Sequence, residues 1–187
     1  MNTPNLCPGK REWNDHRDVG KQSYENNRDG MACTEVSIRL CIDERSLRKN
    51  TLGGGGWASI HVETEHACFP SHKWIDLAGA FLCEWLKALV RLYLGSEKAF
   101  TVSFLDGPYT IALSSVGDEV EIRCYRDYYG NRTLVQSSTE DIRILIEDGL
   151  KCGTLLEMSY TAAEWPMDRD RRCLRRLLRK SRTVLKL

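Results

Sequence analysis

The side chains best suited to hold a metal ion are concentrated in one short stretch, "HVETEHACFPSH". It contains His61, His66, Cys68 and His72, and four imidazole or thiolate ligands would complete a tetrahedral zinc site. The His-x-Cys-x3-His spacing, however, matches no common zinc finger, and the alternation around His61 is typical of a strand. A polar strand end followed by a loop is the simpler interpretation. The sequence therefore predicts neither a bound metal nor another cofactor.

The residue patterns of phosphate loops and of common nucleophiles are not met either. The glycine run Gly53–Gly56 precedes a strand, whereas a phosphate-binding loop leads from a strand into a helix and carries a lysine. The chain contains no GxSxG elbow, no HExxH motif and no local cysteine-protease signature. We therefore expect a flexible hairpin loop at the glycines and no enzymatic activity.

The C-terminal segment 166–187 is strongly basic. It carries nine Lys and Arg residues against Asp168 and Asp170, a net charge of +7. Because the whole chain has a net charge of +1, residues 1–165 carry −6. Arginine-rich helices bind nucleic-acid phosphates, and the residues suited to this are Arg171, Arg172, Arg175, Arg176 and Arg179.

The same basic segment also suits a helix that docks on the acidic body of the protein. Its arginines surround a narrow apolar seam, formed by Cys173, Leu174, Leu177 and Leu178. No aromatic residue lies within the segment to stack on bases. Docking is therefore the preferred interpretation, and nucleic acid is not the expected partner.

The stretch "YRDYYGNR" contains the residue types that dominate protein–protein interfaces. Around its Gly-Asn turn lie Tyr125, Arg126, Tyr128, Tyr129 and Arg132. On the tip of a hairpin these side chains would form an interaction surface. The alternative is that one or two of the tyrosines cover a sheet edge.

Alternating apolar residues predict the strands that position these groups. "EVSIRLCI" and "WASIHVET" form a hairpin across the glycine run, and "AFTVSFL", "PYTIALSS", "DEVEIRCYR" and "NRTLVQSS" follow later. Asp106-Gly107 joins the first two of these later strands and is a strong hairpin signal. Gly107 supplies positive φ and Pro108 fixes the next residue. Asp106 and Tyr109 are further candidates for the interaction surface.

Between the two groups of strands, "KWIDLAGAFLCEWLKALVRLYLG" predicts a long helix. Asp76 is placed to cap it and Gly95 to end it. Because the helix is apolar around most of its circumference, we expect burial on two sides. A later helix follows a capping box formed by Ser138 and Asp141, and is expected to break or bend near Gly149–Gly153.

Together these elements predict an α+β domain over residues 33–187. Its antiparallel sheet would have about six strands, two N-terminal to the long helix and about four after it, with helices on one side and at the C-terminus.

The polar segment 1–32 lacks periodic apolar residues and is expected to be disordered. An alternative hypothesis is that translation starts at Met31 rather than at Met1. Eight cysteines without a secretory signal or CxxC pair suggest reduced thiols in the cytoplasm, and no apolar run is long enough for a membrane span.

The order of motifs over residues 35–165 resembles small immunity proteins of bacterial polymorphic-toxin systems. The resemblance consists of "WIDL" opening a long apolar helix, then a strand, "FLDGPYTIAL", a further strand and a late helix. It implies a cytoplasmic, non-enzymatic protein that binds a cognate toxin domain and blocks its active site or its assembly. The polar N-terminus and the basic C-terminal helix depart from this compact pattern, and the near-neutral total charge leaves the toxin class open.

The sequence thus predicts a protein-binding inhibitor, an immunity protein, with tyrosine and arginine anchors supplying affinity and charge complementarity setting the association rate. The alternative is a nucleic-acid-binding or regulatory module that uses the C-terminal arginines.

Overall fold

The computed structural model describes residues 38–49, 55–64 and 67–186. The expectations for segment 1–32, for Met31 and for His66 lie outside these residues. The described part contains eight strands and three helices. The strands are β1 (Arg39–Lys49), β2 (Gly56–Glu63), β3 (Cys68–Phe69), β4 (Ile75–Leu77), β5 (Ala99–Ser103), β6 (Tyr109–Val116), β7 (Glu119–Tyr128) and β8 (Asn131–Asp141). The helices are α1 (Ala78–Tyr93), α2 (Ile142–Ala162) and α3 (Arg169–Leu185).

The first sheet is built on the hairpin of β1 and β2. Strand β3 pairs with the end of β2, and β4 pairs with its beginning, all antiparallel. Ala58, Ile60 and Val62 form the buried face of β2, as the alternation predicts. Strand β1 extends further than the sequence pattern indicates, because a bulge between Asp43 and Arg48 lets pairing resume after an interruption.

The second sheet contains β5, β6, β7 and β8 in sequence order, each antiparallel to the next. These are the four later strands that the sequence predicts. One face of the sheet is buried in the core by Val102, Ile111, Leu113, Ile122 and Cys124. Most residues of the opposite face are polar and at least partly exposed, which explains the clean alternation along β6 and β7.

The α+β class and the antiparallel pairing are therefore confirmed, whereas the prediction of one sheet of about six strands is wrong. The chain forms two sheets of four strands each. Strands β3 and β4 are only two and three residues long, too short to show a period of two. The split into two sheets has no signal in the sequence, because alternation specifies a buried face and not a pairing partner.

Helix α1 lies at the centre of the core and is buried around most of its circumference, as predicted. Gly95 has a φ of +67° and ends the helix, with Ser96 N–H donating to the Arg91 carbonyl. The expected cap at Asp76 is wrong, because the helix begins after Leu77 without a side-chain cap. Asp76 instead lies in β4, where it is fully buried.

The carboxylate of Asp76 connects the start of α1 to the second sheet. It accepts hydrogen bonds from the backbone N–H groups of Leu77, at 2.6 Å, and Asp106, at 3.2 Å, and from the Trp74 indole at 3.5 Å. Burial raises the pKa of Asp76, and these hydrogen bonds partly oppose that rise.

Helix α2 is continuous through Gly149 and Gly153, so the expected break is not present. Both glycines allow a neighbouring helix to approach closely. A Cβ atom at Gly149 would lie 2.7 Å from Leu86 Cδ2 of α1, and one at Gly153 would lie 2.7 Å from Leu178 Cδ2 of α3. The N-cap is Asp141, which accepts from Arg143 N–H at 2.7 Å.

None of the helices in the described part of the chain combines the length and apolarity needed to cross a bilayer. The six cysteines in it are free thiols.

The connection from β5 to β6 contains the positive φ that the turn interpretation requires. Gly107 has a φ of +129° and lies against Trp74, so that a Cβ atom would be 2.8 Å from the indole ring. Phe104 N–H donates to the Tyr109 carbonyl at 3.0 Å and closes the connection.

We expect Gly107→Ala to lower the free energy of unfolding by about 2 kcal/mol, from backbone strain and the contact with Trp74. The matched control is Gly117→Ala, since Gly117 also has a positive φ, +64°, with nothing within 4 Å of its Cβ position. Urea denaturation measures both. Equal destabilisation by the two substitutions would remove the role assigned to Trp74.

Candidate functional site

The end of the β7–β8 hairpin carries the tyrosines and arginines singled out from the sequence. We name this group the tyrosine–arginine tip; it consists of Tyr125, Arg126, Tyr128, Tyr129 and Arg132. Tyr128 pairs with Asn131, and the two residues between them, Tyr129 and Gly130, have φ values of +47° and +82°. This is the geometry of a type I′ turn, which suits a tight hairpin. The Tyr129 side chain is 96% exposed.

The tip has two opposite faces, because side chains alternate along each strand. On one face the Arg132 guanidinium lies 4.0 Å from the centroid of the Tyr125 ring. It also donates to Thr110 Oγ1 at 3.2 Å and faces the Asp127 carboxylate at 3.9 Å. On the other face Arg126 lies 4.8 Å from the centroid of the Tyr128 ring. The sequence grouped these residues correctly but did not separate the two faces.

Tyr109 and Asp106 lie at the base of the tip. The Tyr109 ring is half-buried and contacts Trp74 edge-on, with ring centroids 4.8 Å apart, while Arg126 lies 6.0 Å above it. Asp106 is exposed, and its backbone N–H is bound to Asp76. Tyr109 therefore supports the tip, and Asp106 is available at its side.

Several exposed apolar side chains lie beside the tip, and the sequence analysis did not identify them as candidates for the interaction surface. Leu134 and Val135 of β8 are 50% and 54% exposed, and Leu105 in the β5–β6 connection is 57% exposed. A bulge explains the first two, because Cys124 pairs with Gln136 and Tyr125 with Leu134, which leaves Val135 between the pairs. In the sequence, the two consecutive apolar residues in "TLVQ" break the alternation and could have indicated this bulge.

A second candidate surface is a groove of about 1080 Å³ between α2 and α3. Arginines dominate its lining, which comprises Arg169, Arg172, Arg175, Arg176, Arg179 and Arg182, together with Thr154, Glu157, Met158, Met167, Cys173 and Leu178. We name it the arginine groove. Four of the five arginines proposed from the sequence line it, and Arg169 and Arg182 were missed. These two arginines lie on the same helix as the other four, so helical spacing could have indicated that they share the groove.

Arg171, the fifth arginine of that proposal, lies outside the groove lining and is buried in an ion pair. Its guanidinium donates to both oxygens of the Glu157 carboxylate, at 2.8 to 3.1 Å. It also donates to Thr161 Oγ1 at 2.6 Å and to the Trp165 carbonyl. The hydrogen bond to Glu157 raises the pKa of Arg171, although burial opposes the rise. Arg171 thus attaches α3 to α2 and is not available to an anionic partner.

A third group is the cluster of metal-binding types in the first sheet. The structure brings His61, Cys68 and His72 together and adds Glu63, which the sequence reasoning overlooked. The Cys68 thiol lies 3.0 Å from Nε2 of His72, a pairing also found in cysteine nucleophiles. Burial and the nearby Glu63 carboxylate raise the pKa of Cys68, which is the opposite of nucleophile activation.

Comparison of the chain with protein-family models, with curated proteins and with solved structures finds no match.

We expect Glu157→Gln to lower the free energy of unfolding by about 3 kcal/mol, because it leaves the buried charge of Arg171 without its counter-ion. The control is Glu147→Gln on the same helix, where the described residues provide no ion pair. Chemical denaturation of both variants tests this. A loss no larger than that of the control would show that Thr161 and the Trp165 carbonyl suffice to hold Arg171.

Proposed function

We propose that this protein is a non-enzymatic, protein-binding inhibitor, specifically an immunity protein that neutralises a cognate bacterial toxin domain in the cytoplasm by binding it. The observation that supports this is the tyrosine–arginine tip, where the exposed rings of Tyr128 and Tyr129 contact each other and Arg126 stacks on Tyr128. Tyrosine and arginine supply most of the energy in many protein interfaces. The resemblance of the motif order to immunity proteins favours the same function.

The tip is ordered before it meets a partner. Asp127, Thr110 and the Tyr125 ring hold Arg132, and the Tyr128 ring lies beneath Arg126. Side chains already fixed by such contacts lose less conformational entropy on binding, so more of the contact energy appears as affinity.

The two faces of the tip suit insertion into a cleft. The last pairs of the hairpin, Asp127 with Arg132 and Tyr128 with Asn131, extend beyond the first residue of β6. Together with the turn they project by roughly 10 Å. A flat partner would contact only one face, whereas a cleft contacts both arginine–tyrosine stacks. We therefore propose that inhibition occurs by occupation of a cleft on the toxin domain.

The arginine groove supports the second candidate, a nucleic-acid-binding or regulatory module. Six arginines line one groove, and only Arg175 among them pairs with a carboxylate, at 3.3 Å from Glu157, in the described residues. Such a surface attracts phosphates, and its affinity would fall steeply with salt.

A pull-down of the tagged full-length protein from its native organism separates the two candidates. Lysates are treated with or without nuclease at low and moderate salt. Three forms are compared: the wild type, a tip variant (Tyr128→Ser with Tyr129→Ser) and a groove variant (Arg176→Gln with Arg179→Gln). The proposal expects one stoichiometric protein that the wild type and the groove variant retain under every condition.

We expect the tip variant to weaken binding of that partner at least roughly 30-fold, the loss of about 2 kcal/mol that is typical of a hot spot. Its free energy of unfolding should fall by no more than about 1 kcal/mol, since both side chains are more than half exposed and a cation–π contact at such a site, here Arg126 with Tyr128, contributes about 0.5–1 kcal/mol. Isothermal titration calorimetry and urea denaturation provide the two measurements.

The inhibitory function is tested with the captured protein itself. Its expression alone should arrest bacterial growth, and co-expression of the wild type, but not of the tip variant, should restore growth. A partner that is harmless when expressed alone would refute the immunity function. Capture that disappears with nuclease or with Arg176→Gln and Arg179→Gln would transfer the function to the arginine groove.

A further inference from the structure

We propose that His61, Glu63, Cys68 and His72 form a structural zinc site on the first sheet. This inference does not rest on the toxin-binding function, and it departs from the sequence-based expectation that no metal is bound.

The topology of the first sheet places all four side chains on one side. His61 and Glu63 are two residues apart on β2 and therefore share a face. Cys68 of β3 is directly opposite Glu63 in the pairing register, so its side chain lies on that face as well. His72 follows in the turn before β4, and its backbone carbonyl accepts a hydrogen bond from Ser59 Oγ at 2.8 Å. Three separate segments thus supply the ligands.

The distances are close to those of a tetrahedral site. One ligand atom from each residue lies within 4.8 Å of all the others. The Cys68 sulfur is 3.0 Å from His72 Nε2 and 3.8 Å from Glu63 Oε1. Zinc bonds of about 2.0–2.3 Å place tetrahedral ligands roughly 3.3–3.8 Å apart. Small side-chain rotations are enough to reach that arrangement.

A second observation points to a ligand at this position. His61 is only 8% exposed, and within the described residues its Nδ1 atom has no hydrogen-bond partner. A buried polar atom without a partner costs free energy. The edge-on contact between the His61 and His72 rings, with centroids 5.2 Å apart, does not satisfy that nitrogen. If the His61 and His72 imidazoles bind a cation, the His61 ring can reorient so that its nitrogens gain partners.

The donor set fits zinc. Two imidazole nitrogens, one thiolate and one carboxylate match the ligands that zinc prefers, whereas calcium and magnesium require oxygen. Four protein ligands close the coordination shell, which is typical of a structural rather than a catalytic zinc. Binding converts the Cys68 thiol to a thiolate and releases its proton to solvent. The Cys41 thiol donates to the other Glu63 oxygen at 3.4 Å and orients that ligand.

The site would fix the segment that supports the tip. Trp74 follows His72 by two residues and packs on Tyr109 and against Gly107. A metal that holds His72 to β2 therefore holds Trp74 in place as well.

The test uses the full chain with a tag that contains no histidine, purified without added chelator. Elemental analysis should find one zinc ion per chain. Cys68→Ser and His72→Ala should reduce this to less than about a tenth, while Cys173→Ser, a half-buried cysteine outside the cluster, should retain it. Replacement by Co²⁺ should produce the visible bands of a tetrahedral site with a thiolate charge-transfer band, which Cys68→Ser abolishes.

The wild type alone also tests the site, in case the variants fail to fold. Chelator-treated protein should recover one equivalent of zinc, and its melting temperature should rise by about 10 °C at free zinc roughly 1,000-fold above Kd. The proposal is overturned if folded wild type takes up neither zinc nor cobalt. It is equally overturned if folded Cys68→Ser and His72→Ala bind as much metal as the wild type, which would indicate adventitious binding elsewhere.

Discussion

Helix α1 imposes the constraint on which the rest of the structure depends. Eleven of its 16 residues are buried, and they cover most of the circumference rather than one narrow stripe, which leaves a face with the exposed Glu84 and Arg91. An α-helix of this kind is stable in water only when other elements cover it on several sides. Both sheets and both other helices contact it. Gly149 lets α2 approach Leu86 of α1, so this glycine too serves to cover α1.

The candidate binding surface is formed by the end of the β7–β8 hairpin, which extends beyond the buried core. Buried side chains of β7 end at Cys124, yet the strand continues to Tyr128. Beyond the core, arginine–tyrosine stacking replaces burial as the interaction that orders the hairpin. Trp74 and Tyr109 lie between the core and the tip. Tyr109 is part of the partly buried base of the tip, and its ring contacts that of Trp74. This aromatic contact therefore joins the projecting hairpin to the core.

Helix α3 combines two properties that the sequence presented as alternatives. Leu174, Leu177 and Leu178 are buried and dock the helix on the core. Arg171 joins them by pairing with Glu157. The remaining arginines surround a groove and repel one another. Burial of the docked apolar seam stabilises the helix and offsets this repulsion. Docking and a free cationic surface thus coexist on one helix.

The sequence by itself determined the features that depend on neighbouring residues: the buried face of β2, the four strands of the second sheet, the burial of most of α1 and the positive φ at Gly107. Only the tertiary structure decided the division into two sheets, the burial of Asp76 and Arg171, and the meeting of Glu63 with His72. Periodicity reports the local backbone and which side is apolar. Contacts between distant segments depend instead on how the elements pack together around α1, and no local pattern encodes that packing.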